Sequence, residues 1–248
     1  MKINDPQPYM TFDAGLENAN LTIAQHDDQN FLAIRNAANQ NEMGKKIGFQ
    51  EGDMLLKLNG ELFPRNEAKI SVFDSGYLVG DGIWEALRLH DGVLVHLKEH
   101  LARLWQGAAT VGMDIGMTKA ELVKKIWMVL KANKMHDNVH CRFMVTRGIK
   151  KTPSQDPRLT ISGPNLVIIA EHKAASPKSN EDGVTLFTST IRRGSPAYLD
   201  PRLNCHSKLH EVMALVQAIE AGCDEALMLD INGFVSTCNA TNFFMVKD

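Results

Sequence analysis

Apolar residues recur every three or four positions in some stretches of the chain and every second position in others, so helices and strands are both predicted. Leu97, Leu101, Leu104, Ala108 and Val111 trace one face of a helix. A second helix is predicted from Thr118 to about Asn133, because Thr118 with Glu121 three residues on makes a capping-box pattern. A third runs from Lys208 to Ala221, with Gly222 as the glycine just past its end. Short alternating or continuous apolar runs predict strands at 54–58, 61–63, 83–89, 139–146, 165–170, 184–191, 225–230, 234–236 and 243–246. Asn59-Gly60 and Asn232-Gly233 are hairpin turns between such runs, and Asp91-Gly92 ends another.

Strands and helices interleave, so the expected fold class is α/β (α+β). The first 52 residues are rich in Asn, Gln and Asp and read as a polar, partly disordered extension, with a short helix around 30–38. Residues 53–173 form a small α/β domain in this reading. The Lys-, Ser-, Pro- and Asn-rich stretch 174–183 is an interdomain linker, and 184–248 begins a second domain.

The 248 residues are 44% hydrophobic and 23% charged, enough for one large or two small cores. A net charge of −2 with the signs interspersed gives no footprint for nucleic acid, and no basic block suggests a membrane surface. No apolar run approaches the roughly 20 residues that cross a bilayer. No signal or transit peptide is recognisable at the N-terminus. The four cysteines are widely spaced without a C-x-x-C pair, which suits a reducing cytoplasm better than a zinc cage or a disulfide framework.

Two features point to chemistry. Gly76, Gly80 and Gly82 fall within seven residues and imply either close backbone approach or positive φ, with a plain tight turn as the alternative. Lys208 stands alone where an extended segment, Leu203-Asn204-Cys205-His206-Ser207, turns into a helix. It is either a solvated first-turn residue or a partly desolvated amine able to form a Schiff base with an aldehyde. Arg103 points away from the apolar stripe of its helix, as a surface residue or as a donor for phosphate or carboxylate.

Five blocks stand in order: Asp74-x-Gly76-x-x-x-Gly80-Asp81-Gly82-x-x-Glu85; His100-Leu101-x-Arg103-Leu104; Thr146-Arg147-Gly148; a helix-opening lysine; and Ala221-Gly222-x-Asp224-Glu225-Ala226 with Asn232-Gly233. Together they resemble the class IV aminotransferases, the fold-type IV group of pyridoxal-phosphate enzymes. That group includes branched-chain and D-amino acid aminotransferases, amine transaminases and aminodeoxychorismate lyase. The resemblance covers residues 53–248. It implies a two-domain enzyme with pyridoxal 5'-phosphate as cofactor and an amino acid and a 2-oxo acid as substrates. It also implies a homodimer with the site near the subunit interface.

Carried over by position, the resemblance makes Arg103 the phosphate-gripping arginine and Trp84 the aromatic wall of the substrate pocket, beside Glu85. Arg147 and Arg192 or Arg193 become candidates for holding a substrate carboxylate, each with a structural role as the alternative. The chain departs from the family pattern in three places. Counting back from Ala221-Gly222, the Schiff-base position falls on Asn204, with Lys208 one helical turn later. Either the helix is a turn shorter and Lys208 is the equivalent lysine, or the amine is missing. Thr237 stands where relatives place the glutamate that protonates the pyridine nitrogen, so Thr237 or Asn239 is the expected ring partner. The C-terminal domain is expected to be incomplete. A transaminase is the leading reading, with a lyase of the aminodeoxychorismate type or an inactive scaffold as alternatives.

Overall fold

The computed structural model describes residues 61–173, 179 and 181–247, together with the strands at 21–26, 29–34 and 54–57. Near the N-terminus, β1 (Leu21–His26) and β2 (Gln29–Ile34) form an antiparallel hairpin. The second strand of this hairpin pairs in turn with β5 (Ile70–Ser71). The helix expected around 30–38 therefore does not form over residues 30–34. Phe31 and Ile34 favour extended backbone, and pairing on both sides supplies the bonds a helix would have made internally. Residues 35–53, and the turn expected at Asn59-Gly60, lie outside the described residues.

β3 (Met54–Lys57) and β4 (Leu62–Pro64) pair antiparallel as predicted. A short helix, α1 (Ser75–Val79), precedes β6 (Gly82–His90) and the edge strand β7 (Val93–Leu94). Two longer helices follow, α2 (Leu97–Thr110) and α3 (Lys119–Ala132). Thr118 caps the latter, with both halves of the expected capping box formed to Glu121. β8 (Val139–Thr146) and β9 (Asn165–His172) complete a six-stranded antiparallel sheet in the order β4-β3-β9-β8-β6-β7.

The two longer helices cover one face of this sheet, α2 against β6 and α3 across β3 and β9. Side chains alternate along β6, so Ile83, Glu85, Leu87 and Leu89 turn inward toward the helices while Trp84 and Ala86 face the other way. Antiparallel register sets Trp84 opposite Met144 and Ala86 opposite Arg142. Phe143 and Val145, fully buried, face the helices with Leu104, Leu122 and Ile126.

After residue 180, β10 (Leu186–Thr188) runs parallel to β11 (Glu225–Leu229), which pairs antiparallel with β12 (Val235–Cys238). The intervening helix, α4 (Leu209–Glu220), packs Ala214 and Ala218 on Ala226 and Met228. Gly222 ends it with φ 73°, the left-handed geometry expected just beyond a helix. The strand expected at 243–246 is not formed. Phe244, Met245 and Val246 are exposed, and no edge among the described residues supplies the ladder bonds a strand needs. Most of the expected linker, 174–178 and 180, lies outside the described residues.

The segment before α4 lies along the start of β6. Cys205 bridges Ile83 antiparallel, Trp84 N donates to Asn204 O at 2.8 Å, and His206 N donates to Gly82 O at 2.9 Å. The three glycines make this approach possible. A Cβ on Gly82 would stand 2.9 Å from His206 Nδ1, and one on Gly76 would meet the same atom at 2.9 Å. Gly80 holds φ 70°, and a Cβ there would meet Ser207 Oγ at 2.7 Å. The close-approach reading of this motif is the correct one.

His206 is half-buried in the contact, and its Nε2 is enclosed without a hydrogen-bond partner. Burial holds the imidazole below its ordinary value of 6.5 and Arg142 pushes the same way, while Asp74 and Asp81 oppose them. The unfolded chain therefore takes up this proton first as pH falls, so the contribution is intact above about 6.5 and is lost toward the lower folded value. Thermal unfolding followed from pH 7.5 to 5 is expected to show a falling midpoint that His206→Asn flattens; equal slopes in the two proteins would remove His206 as the cause.

Candidate functional site

The open face of the six-stranded sheet, opposite its helices, gathers a group of charged side chains around Trp84. The indole Nε1 donates to Cys205 O at 3.0 Å, which fixes the ring against the docked segment. The guanidinium of Arg142 lies 4.2 Å from the ring centroid and the ammonium of Lys208 lies 6.0 Å from it. Desolvation depresses the Arg142 pKa, partly offset by Glu171, and its Nε is buried without a hydrogen-bond partner.

Lys208 is the residue that opens α4, and its side chain is partly exposed. Its Nζ lies 3.0 Å from Glu211 Oε1, one turn along the helix. The same oxygen accepts from Arg193 Nη1 at 3.0 Å, so two cations share one carboxylate oxygen. The Glu211 side chain is only 7% exposed, which separates this group from an ordinary surface pair. His210 Nδ1 stands 3.4 Å from the other oxygen, Oε2, which has no hydrogen bond. Burial lowers the His210 pKa, with Arg193 and Lys208 adding to the effect and Glu211 opposing it.

Arg103 lies elsewhere. It reaches from α2 to Glu85, a carboxylate only 1% exposed that turns toward the helices. Arg103 Nε and Nη2 both donate to it, the latter at 2.8 Å, and His100 Nδ1 sits 2.7 Å from the same group. Hydrogen bonding to Glu85 raises the Arg103 pKa. The side chain is nonetheless half exposed, and Nη1 is the guanidinium nitrogen not engaged by Glu85.

The remaining predicted residues are held in their own elements. Arg147 donates through Nε and Nη2 to Asp81, at 2.6 and 3.1 Å, and also to the carbonyls of Val111 and Gly112. Its fork thereby ties the end of β8 to the turns after α1 and α2. Arg193, expected at a substrate carboxylate, is turned to Glu211, while Arg192 is exposed. Thr237 Oγ1 donates to Thr241 O, and Asn239 Oδ1 accepts from Ala226 N, so both make these bonds within the second sheet and its following turn. Asn204 offers its carbonyl to Trp84 N.

The structure thus joins Trp84, Lys208 and Arg193 in one group and leaves Arg103, Arg147, Thr237 and Asn239 in contacts of their own. Arg142, His206 and Glu211 complete the group, and sequence reasoning missed all three. One signal was present: Arg142 is the one arginine or lysine between the alternating apolar positions Val139, Cys141, Phe143 and Val145. A polar-side position opposite Ala86 in β6 had to share a face with Trp84. An amine, an aromatic face and an under-bonded guanidinium together suit a planar anionic ligand carrying a carbonyl group.

Comparison with known proteins identifies the family. Branched-chain-amino-acid aminotransferase-like protein 2 of Arabidopsis thaliana is 39% identical over 198 residues, 80% of this chain and 35% of that protein. A putative branched-chain-amino-acid aminotransferase of Methanocaldococcus jannaschii is 38% identical over 195 residues, 79% of this chain and 66% of that one. The chain therefore spans between about a third and two thirds of these relatives. Among solved structures, the branched-chain aminotransferase of the thermophilic archaeon Thermoproteus uzoniensis with norvaline superposes with a TM-score of 0.66 at 24% identity. That match covers 76% of this chain and 63% of the other, and it shows the shared fold. The family model for amino-transferase class IV matches residues 82–248, which hold the docked segment, Lys208 and every residue around Trp84. The chain belongs to the class IV aminotransferase family.

Proposed function

We propose that the chain supplies the site of an aminotransferase that moves an amino group between an amino acid, of the branched-chain or D-amino acid type, and a 2-oxo acid, with pyridoxal 5'-phosphate bound through Lys208. The observation that carries this reading is the Lys208 amine on the Trp84 face, beside an arginine with no hydrogen bond at its buried Nε. The donor set suits the cofactor. Of the four buried side-chain atoms without partners among the described residues, three belong to Arg142, His206 and Glu211, all in or beside this group.

When bound, pyridoxal phosphate supplies an aldehyde and an electron-withdrawing ring. The chain's own residues do the rest. Lys208 Nζ would hold the cofactor at its aldehyde carbon and, as a neutral amine, would take and return the substrate Cα proton. Arg103, through the nitrogen Glu85 leaves free, grips the phosphate, while Glu85 and His100 hold the guanidinium plane. Arg142 takes the substrate carboxylate, and the apolar surfaces of Trp84 and Met144 accept an aliphatic side chain. Thr237 would offer the ring nitrogen a neutral hydroxyl in exchange for its bond to Thr241 O, and Asn239 holds the adjoining turn in place. A homodimer in the cytoplasm is the expected setting. No described helix is long and apolar enough to cross a membrane.

A second reading, an inactive scaffold, is favoured by one observation: Lys208 is ion-paired, and the residue at the family's usual lysine position is Asn204. Borohydride reduction of the full chain with pyridoxal phosphate, followed by peptide mapping, separates the two. The transaminase reading expects a phosphopyridoxyl group on Lys208, absent in Lys208→Ala; a wild-type protein with no such adduct is the scaffold. Arg142→Met is expected to raise KM for the amino substrate roughly tenfold or more, the equivalent of one lost charged hydrogen bond, while leaving that adduct in place. An unchanged KM would move the carboxylate site elsewhere.

A further inference from the structure

Lys208 is engaged by a buried carboxylate, and that carboxylate already has a second cation. Glu211 Oε1 lies 3.0 Å from Lys208 Nζ and 3.0 Å from Arg193 Nη1. Arg193 comes from a different element and is fixed independently, its backbone N donating to Leu229 O at 2.8 Å. An ammonium bound to a carboxylate is a poor nucleophile, because the neutral amine is the species that attacks an aldehyde. Removing one partner of a buried ion pair ordinarily strands the other charge at high cost. Here the cost is met in advance, since Arg193 stays on Glu211 when Lys208 leaves.

We infer that Glu211 is a lock on Lys208, a positioning residue that holds the amine in an ion pair on the Trp84 face, and that Arg193 is the substitute partner that lets the lock open. On opening, Lys208 gives its proton to solvent and Glu211 keeps its charge against Arg193. His210, whose Nδ1 lies 3.4 Å from Oε2, is the other titratable group facing this carboxylate. The inference deepens the proposed function and rests on its assignment of Lys208, yet the lock acts before any cofactor arrives.

Reductive methylation of the full chain with formaldehyde and cyanoborohydride reads this amine without the cofactor. Peptide mapping gives the rate at Lys208 relative to the exposed Lys98 and Lys131 in the same sample. Glu211→Gln is expected to raise the relative rate at neutral pH about tenfold, the effect of removing an opposite charge within hydrogen-bonding distance. Glu211→Asp, which restores the charge, is expected to return it toward wild type. Arg193→Gln leaves Glu211 to Lys208 alone and is expected to slow it several-fold. A rate unchanged in Glu211→Gln overturns the lock. If that variant fails to fold by circular dichroism, Arg193→Gln decides: slowing supports the lock, and an unchanged or faster rate overturns it. Methylation that obeys Glu211 in a chain that never traps pyridoxal phosphate on Lys208 keeps the lock and overturns the proposed function instead.

Discussion

Because Trp84 N donates to the carbonyl of Asn204 and His206 N to that of Gly82, the chain enters α4 at a fixed point beside the start of β6. Lys208 and Glu211 are brought to Trp84 by that constraint. Lys208 begins the helix two residues after His206, and Glu211 follows one turn later, so neither can move without the segment that precedes them. The glycines on the other side of the contact have no alternative residue of comparable size. An added methyl at Gly76, Gly80 or Gly82 meets His206 or Ser207 within 3.0 Å, and at Gly80 it also meets positive φ. The contact joins β6 to the segment that leads into α4 with backbone hydrogen bonds, whereas the glycine-rich stretch alone would be only a turn around a five-residue helix.

Two buried carboxylates organise the cations, each by a different route. Glu85 sits inside the strand that carries Trp84, and alternation sends it to the helix side, where it takes the Arg103 fork and His100. With only 1% of it exposed, it depends on those donors, and Arg103 is correspondingly oriented at the surface end of the pair. Glu211 sits on α4 and collects Lys208 from the start of the same helix and Arg193 from the loop after β10. In both cases the arginine bears on a carboxylate through part of its guanidinium and retains further N–H groups. That division of labour, orientation by one part of the fork and recognition by the rest, is available to arginine and not to lysine.

How much of this was legible in the sequence depends on whether the controlling contact is local. β8 begins and ends where the apolar alternation from Val139 to Thr146 begins and ends. α3 starts at its capping box, and α4 stops at Glu220, with Ala221 as its cap and the expected glycine just beyond. Each of these is settled within a few residues of chain. The family blocks were legible for the same reason, being short and ordered. The helix expected around 30–38 failed where partners distant in sequence, such as β5, offered hydrogen bonds to extended backbone. The strand expected at 243–246 failed because a strand requires a neighbour, and apolar alternation carries no information about whether one is present.

The charged group around Trp84 was the hardest part to read, and the reason is geometric. Arg193 and Glu211 are separated by 18 positions and Trp84 and Cys205 by 121, so their contacts exist only after the segment has docked. Sequence left Arg193 between a substrate carboxylate and a structural role, because nothing in its neighbourhood revealed Glu211 as a partner. The alternation rule did hold the missing half of the answer. Once β6 and β8 are paired antiparallel, the inward assignment of Ile83 and Phe143 forces Trp84 and Arg142 together onto the opposite face. The same rule that builds the core therefore selects which side chains are left over for chemistry, and it does so through register rather than through any motif.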